Sequence, residues 1–400
     1  MKVNTQRLID RYIGTIICRV FSMYDRFFTK ESKPGQIKKI LIIQLSEMGA
    51  LVLAYPMFQY LKEKFPNAVL HIIVFEKNRE AAELLGVIPS ENILTINDKS
   101  MSAFLKDTAG VLFSMRKIQF DTVIDCELFS RISSILAFLS GSAVRVGFHP
   151  HTQEGLYRGN FINRPVLYNP YHNISRQFLT LAEAIDSDTH PKAKRRIPHE
   201  SLAIPTIEVG QKEIENAKKK LYDIAPGVEG KKIVLIYPGG GLLPIRAWPL
   251  DYYCRLTEEL LVKGHAVCII GLADDRDVAD VILSHNRNQN CVDLTGYTKT
   301  IRELMIIFHF SSLLITNDGG PGHFAALTTI PSIILYGPET PTLYGTMNEN
   351  AINFYLNFSC SPCVTAYNHR KSPCDGNNLC LKKISPDEVL AKALEILESQ

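Results

Sequence analysis

The string Asn317-Asp318-Gly319-Gly320-Pro321-Gly322-His323 is the densest polar cluster in the chain, and it follows directly on the apolar run LLIT. Turn glycines such as Gly319 and Gly320 leave backbone amides free to cradle an anion. A helix entered near His323 would add its positive end. A structural turn with Asp318 as its cap is the bland alternative. A second candidate follows KKIVLIY: Gly239, Gly240 and Gly241, then Arg246 five residues later. Glycines allow close backbone approach to a ligand, and a guanidinium can hold a diphosphate. A third is Asp274-Asp275, just after AVCIIG. There carboxylates either accept from ribose hydroxyls or cap the next helix. Ser46 and Glu47 end the first apolar run, and Glu47 is the one carboxylate between Lys38 and Lys62. It suits a general base or a helix cap. The last group is Cys360, Cys363, Cys374 and Cys380, a C-x2-C-x10-C-x5-C spacing. Three readings stand for it: a structural zinc or iron–sulfur cluster, redox-variable disulfides, or free thiols shaping a loop.

These residues must be carried on something, and the apolar runs say what. KKILIIQL (38–45), VLHIIVF (69–75), TVIDC (122–126) and VRVGF (144–148) are continuous, as strands buried on both faces of a parallel sheet are. A polar stretch at 187–210 follows, with the basic residues Lys192, Lys194, Arg195 and Arg196. The pattern then restarts with runs at 231–237, 266–271, 291–296, 313–318 and 331–337. Two βαβ series predict an α/β protein of two facing Rossmann-like domains with parallel sheets, at 36–205 and 206–400. In such sheets ligands bind outside the carboxyl ends of the strands. Every candidate above except the cysteines sits at such an end.

Composition narrows the partners. With 44 basic and 41 acidic residues the formal charge is +3, so no strong field favours nucleic acid. No apolar run reaches the length of a membrane span. Nine cysteines in 400 residues are too few for a disulfide scaffold, and five of them lie in or beside apolar runs. A cytoplasmic location is expected. Residues 1–35 form an extension and linker, in which 5–28 has helical periodicity that puts Leu8, Ile9, Tyr12, Ile13, Ile16, Ile17, Val20, Phe21, Tyr24, Phe27 and Phe28 on one face, with the arginines mostly off it. The extension either packs on its own domain or a partner, or lies on an anionic membrane surface, at the inner face of the cytoplasmic membrane.

The stretches KKILIIQLSEMGALVLAYPMFQYLKEKFPNAVLHIIV, IYPGGGLLPIRAWP and ITNDGGPGHFAALTTIPSIILYGPETP resemble glycosyltransferase family 9, the bacterial heptosyltransferases of the lipopolysaccharide inner core. The resemblance runs over about residues 38 to 390, and the Asp318–His323 string is its most specific part. It implies a GT-B fold with an N-terminal acceptor-binding domain and a C-terminal nucleotide-sugar domain that bears the 360–380 cysteine loop. It implies an inverting transfer that needs no metal or other cofactor, with ADP-heptose as donor and a lipid-linked or oligosaccharide acceptor. By the same resemblance Arg246 meets the diphosphate and the loop at Asp274 and Asp275 meets the nucleoside. Members carry Ser-x-x-Gly-Asp after the first strand, the Asp as general base. Here the string reads Ser46-Glu47-Met48-Gly49-Ala50, so Glu47 is the expected substitute. Two rivals are a nucleotide-sugar-binding protein that has lost catalysis and a nucleotide-sugar epimerase or hydrolase.

Overall fold

The apolar runs become strands because their side chains have nowhere to go but inward. Ile40 through Ile43 and Ile233 through Ile236 are almost wholly shielded from solvent. Full burial of each such side chain is worth about 1.5–3 kcal/mol. The computed structural model describes residues 3–28, 35–45, 47–148, 157–186, 202–241, 243–365 and 372–400. The chain divides into two units between Ala203 and Ile204. Ser46, the basic run at 192–196 and residues 366–371 lie outside the described residues.

The first unit holds β1 (Lys39–Ile43), β2 (Val69–Phe75), β3 (Ile93–Ile96), β4 (Thr122–Asp125), β5 (Val144–Phe148) and β6 (Arg164–Val166). They form one parallel sheet in the order β3-β2-β1-β4-β5-β6. The second unit repeats the plan with β7 (Ile233–Tyr237), β8 (Ala266–Gly271), β9 (Cys291–Thr295), β10 (Leu313–Asn317), β11 (Ser332–Tyr336) and β12 (Ala351–Tyr355), ordered β12-β11-β10-β7-β8-β9. Both sheets are doubly wound. The winding direction reverses between β1 and β4 in one and between β7 and β10 in the other, and such switch points open the crevice in which ligands bind.

Register makes the crevice specific. Ile43 lies opposite Asp125, so the loops leaving β1 and β4 emerge side by side. Thr316 lies opposite Tyr237, so Pro238-Gly239 and Asn317-Asp318 emerge side by side in the second unit.

Residues Val3–Ile9, Asp10–Gly14 and Thr15–Phe28 form a helical run with one π turn, packed on the first unit. Its inner side mixes polar anchors with apolar contacts, Ile17 and Phe21 packing on the core of the first unit. Asp10 accepts from the backbone amides of Arg131 and Ile132, at 2.8 and 2.9 Å, and so caps the helix Arg131–Leu139 from outside. Asp25 accepts from Arg145 at 2.8 Å. Cys18 is fully buried, and Phe21 stacks on Phe138 with ring centroids 4.7 Å apart. Gly14 is required by the approach, since a Cβ there would fall 2.8 Å from the Cβ of Arg131. Among the described residues no helix is long and apolar enough to cross a membrane.

Candidate functional site

In the second unit the crevice is built around Asn317, the last residue of β10 and fully buried. Its amide nitrogen donates to the carbonyls of Pro238 and Gly239, at 2.9 and 3.0 Å. Its amide oxygen accepts from Trp248 N–H and from the Tyr253 hydroxyl, each at 3.0 Å. One side chain thus ties the glycine loop to the start of the helix Leu250–Val262 and leaves its own hydrogen-bonding capacity filled. The glycines have distinct reasons. Gly241 adopts the left-handed φ of +58°, and a Cβ on Gly240 would meet its own loop, 2.8 Å from Leu243 O.

Arg246 ends a short turn, Pro244–Arg246, and points into this crevice. Its Nη1 lies 3.5 Å from Asp318 and 3.5 Å from Glu339, whose side chains are 5% and 3% exposed. Its Nε has no partner among the described residues, although the atom is buried. The helix Gly320–Ala325 begins directly after Asp318-Gly319 and buries His323, whose Nδ1 is also without a partner among the described residues. Burial lowers the His323 pKa, with Asp318 opposing and Arg246 reinforcing the shift, so the imidazole is neutral at pH 7. Burial pushes the Glu339 carboxyl well above its ordinary range. Asp318 adds to that shift and Arg246 opposes it. Burial and the neighbouring Asp318 thus favour the protonated form of Glu339, and Arg246 favours the charged form. Tyr237, the last residue of β7, sets its hydroxyl beside Gly239, 3.0 Å from where a Cβ there would fall. Its hydroxyl pKa is pushed up to about 12 by burial and then by Asp275.

The structure thus brings Gly239, Gly240, Gly241, Arg246, Asp318, Gly319, Gly320 and His323 into one crevice. Asp275 borders it, but its Oδ2 accepts from Leu272 N–H at 2.8 Å and so serves as a cap of the turn Ala273–Asp275. Asp274 is exposed beside it. Glu339 and the clamping role of Asn317 were not anticipated. The strand-end rule pointed to Glu339, since it lies in the loop after β11.

The first unit has polar groups at its own switch point, between β1 and β4. Glu47 is half-buried, extended (φ −134°) and immediately precedes the helix Met48–Lys64. Ala50 N–H donates to the Glu47 carbonyl at 3.1 Å. The chain is fixed just upstream: Leu45 N–H donates to Glu127 at 2.7 Å, and Leu45 C=O accepts from Asn78 at 2.7 Å. Behind it Arg158 pairs with Asp125, both at most 2% exposed. Arg158 also donates to Ser130 C=O at 2.8 Å and to the Ser133 hydroxyl at 2.9 Å. Burial raises the Asp125 pKa to about 6, with Arg158 opposing and Glu127 reinforcing. Ser46 is outside the described residues.

Of the clustered cysteines, Cys360 and Cys374 are exposed, Cys363 is half-buried and Cys380 is buried. Burial raises the Cys380 pKa, with Cys363 and Cys360 close enough to contribute. The Cys374 sulfur lies 3.8 Å from both Asp375 and Asn378 carboxyl or amide oxygens. Among the described residues no three His, Cys, Asp or Glu side chains converge as a metal site.

The model of glycosyltransferase family 9 (heptosyltransferase) matches residues 112–372. Lipooligosaccharide heptosyltransferase 2 of Haemophilus ducreyi is 25% identical over 320 residues, 78% of this chain and 87% of that one. Lipopolysaccharide heptosyltransferase 2 of Salmonella typhimurium is 22% identical over 385 residues, covering 90% of this chain and 99% of the relative. The structure of E. coli ADP-heptose lipopolysaccharide heptosyltransferase II superposes with a TM-score of 0.71 at 20% identity, over 90% of this chain and 99% of that one. Its likeness extends over both doubly wound sheets.

Proposed function

The chain belongs to glycosyltransferase family 9, the heptosyltransferases, and from that premise we propose that it moves a heptose from ADP-heptose to a lipopolysaccharide-core saccharide, with inversion and without a metal ion in the reaction. The observation that carries the donor half is the β7–β10 crevice. Two buried nitrogens, Arg246 Nε and His323 Nδ1, are left without partners beside a rigid glycine loop. Buried polar atoms are ordinarily satisfied, so these two mark a place for ligand oxygens. Arg246 would stabilise the charge that develops on the departing diphosphate. The paired Asp318 and neutral His323 suit hydroxyl groups, one accepting and the other able to donate or accept.

In the transfer, the acceptor oxygen attacks the anomeric carbon and the bond from that carbon to the diphosphate breaks. The bonding electrons leave with ADP, and the hydroxyl proton goes to a base. A single displacement of this kind inverts the anomeric centre. We assign the base to Glu47, on a loop that Glu127 and Asn78 hold rigid at Leu45. An acceptor still joined to lipid places the work at the inner face of the cytoplasmic membrane. The C-x2-C-x10-C-x5-C spacing alone carries the further proposal of a structural zinc or iron–sulfur cluster in that loop.

The test is ADP release from ADP-heptose, with chelator present, read alongside the mass of a core-saccharide acceptor. Acceptor gaining one heptose per ADP is expected, and Glu47→Gln should lower kcat by about 10²–10⁴-fold with little change in donor affinity. Near-normal kcat in that variant would remove Glu47 as base. ADP release with no acceptor gain would favour the hydrolase reading instead.

A further inference from the structure

The N-terminal helical run has a second face that the fold leaves uncovered. Leu8, Tyr12, Ile13, Ile16, Val20, Met23, Tyr24, Phe27 and Phe28 are each more than half exposed, from 53% at Ile13 to 72% at Phe28. A continuous exposed apolar row of this length on a packed domain marks an interaction surface. The charges around it are sorted by sign. The described part of the helix has two acids, Asp10 and Asp25, and both turn inward. Asp10 caps the helix Arg131–Leu139 and pairs with Arg131, and Asp25 pairs with Arg145. Arg11, Arg19 and Arg26 stay exposed. Arg19 and Arg26 are seven residues apart and so lie on one side of the helix. The outer face is therefore apolar and purely basic.

We propose that this face is a docking surface for an anionic phospholipid bilayer. The helix lies in the plane of the interface, its apolar row entering the headgroup boundary and its arginines meeting lipid phosphates. The charge sorting selects this occupant. A face meant for a second copy would set arginine against arginine across a two-fold axis, which repels. Amphipathic helices that bind membranes usually fold as they bind. This one is already fixed by buried ion pairs and by Cys18 in the core, so it loses little conformational entropy on docking. It would also hold the first unit, which carries Glu47, in a set orientation to the lipid surface. The inference rests on the proposed lipid-linked acceptor for its purpose, and on the helix alone for its physical basis.

The test uses the full chain and vesicles of phosphatidylglycerol with phosphatidylethanolamine, against vesicles of phosphatidylcholine alone. One variant carries Ile16→Ser, Val20→Ser and Phe27→Ser, and another carries Arg11→Gln, Arg19→Gln and Arg26→Gln. Wild type should partition onto the anionic vesicles at least about tenfold better than onto the neutral ones, and less well as salt rises. The serine variant should lose about tenfold or more, and the glutamine variant about fivefold per arginine at low salt. Melting temperatures should hold in both, because every altered side chain is exposed. Variants that sediment as wild type does would overturn the proposal. So would a wild-type dimer, seen by light scattering, that the serine changes dissociate. Transfer to a lipid-free core saccharide is measured in the same samples. Vesicle binding without transfer would sink the proposed function and leave this surface standing; the reverse result would do the opposite.

Discussion

Asn317 offers the sharpest test of how the donor crevice is held. Replacing it with Ala removes a side chain that joins Pro238 C=O, Gly239 C=O, Trp248 N–H and the Tyr253 hydroxyl. Tyr253 retains a longer alternative, Tyr237 C=O at 3.4 Å, so three groups are left without a partner. Each buried polar group orphaned in this way costs about 1–3 kcal/mol. Water entering the vacated space returns part of that, which brings Asn317→Ala to about 3–5 kcal/mol. Such a loss is a large fraction of the roughly 5–15 kcal/mol that holds a domain folded. Trp248 is the single tryptophan of the chain and is 2% exposed, so its emission reports the joint directly. Urea titration should show an earlier midpoint, and native emission should shift to the red as the loosened Trp248 backbone lets water reach the indole, whose own N–H stays bonded to Ile384 C=O at 3.1 Å. Asn317→Asp sharpens the sign. The introduced carboxylate keeps the bonds from Trp248 and Tyr253 but sets an oxygen against two carbonyl oxygens. Only its protonated form can donate there, so its folded pKa is raised. The stability it contributes is then present at low pH and lost as pH rises through that pKa. If Asn317→Ala lay within about 1 kcal/mol of wild type with unshifted emission, the clamp would be wrong.

Three further outcomes bear on the same chain. Arg246→Ala should weaken ADP-heptose binding by about 1.5–3 kcal/mol, because a charge-assisted contact is lost; calorimetry on folded variant showing unchanged affinity removes Arg246 from the site. Glu339 has a raised folded pKa, so wild-type stability should fall with rising pH above about 4.5, by up to about 1.4 kcal/mol per unit. Glu339→Gln should flatten that slope, and superimposable melting profiles from pH 5 to 8 would refute it. Anaerobically purified protein should contain about one zinc or one iron–sulfur cluster per chain if Cys360, Cys363, Cys374 and Cys380 hold a structural metal; metal-free protein of normal stability returns them to the free-thiol reading.

The strands that were legible in the sequence are the central ones. β1, β4, β7 and β10 are buried on both faces, so they are mostly apolar and read as runs, with polar residues such as Asp125 and Asn317 at their carboxyl ends. β3, β6 and β12 were not anticipated. Each lies at or toward a sheet edge, where one face meets solvent, and β12 has no buried position among its five residues. An edge strand need not be apolar, and its sequence carries correspondingly little signal. The N-terminal helix shows a different limit. Periodicity gives the apolar row but cannot say whether that row packs or faces out. Here the decision rests with Asp10, Gly14 and Asp25, whose partners Arg131 and Arg145 lie about 120 positions away. The cysteines show a third. Spacing constrains which thiols can share a metal, but the conformation of the loop between them sets whether they converge.

The two switch points were legible to different depths for one physical reason. A strand-end rule locates the loops that leave a sheet, and it found the glycine loop, Arg246, Asp318 and His323. It does not say which loops meet, because that depends on register and strand order. Glu339 becomes part of the donor crevice because β11 lies beside β10, and Asp125 and Glu127 meet the Glu47 loop because β4 lies beside β1. This bears on the missing acid at Ala50. Leu45 is fixed by Glu127 and Asn78 on either side of its peptide groups, and Asp125 with Arg158 fixes the neighbouring loop. None of these contacts involves the side chain at position 50. The backbone just before Glu47 is therefore fixed without any contribution from the side chain at position 50. The buried Asp125–Arg158 pair beside that loop costs desolvation energy and is often no more stabilising than apolar residues would be.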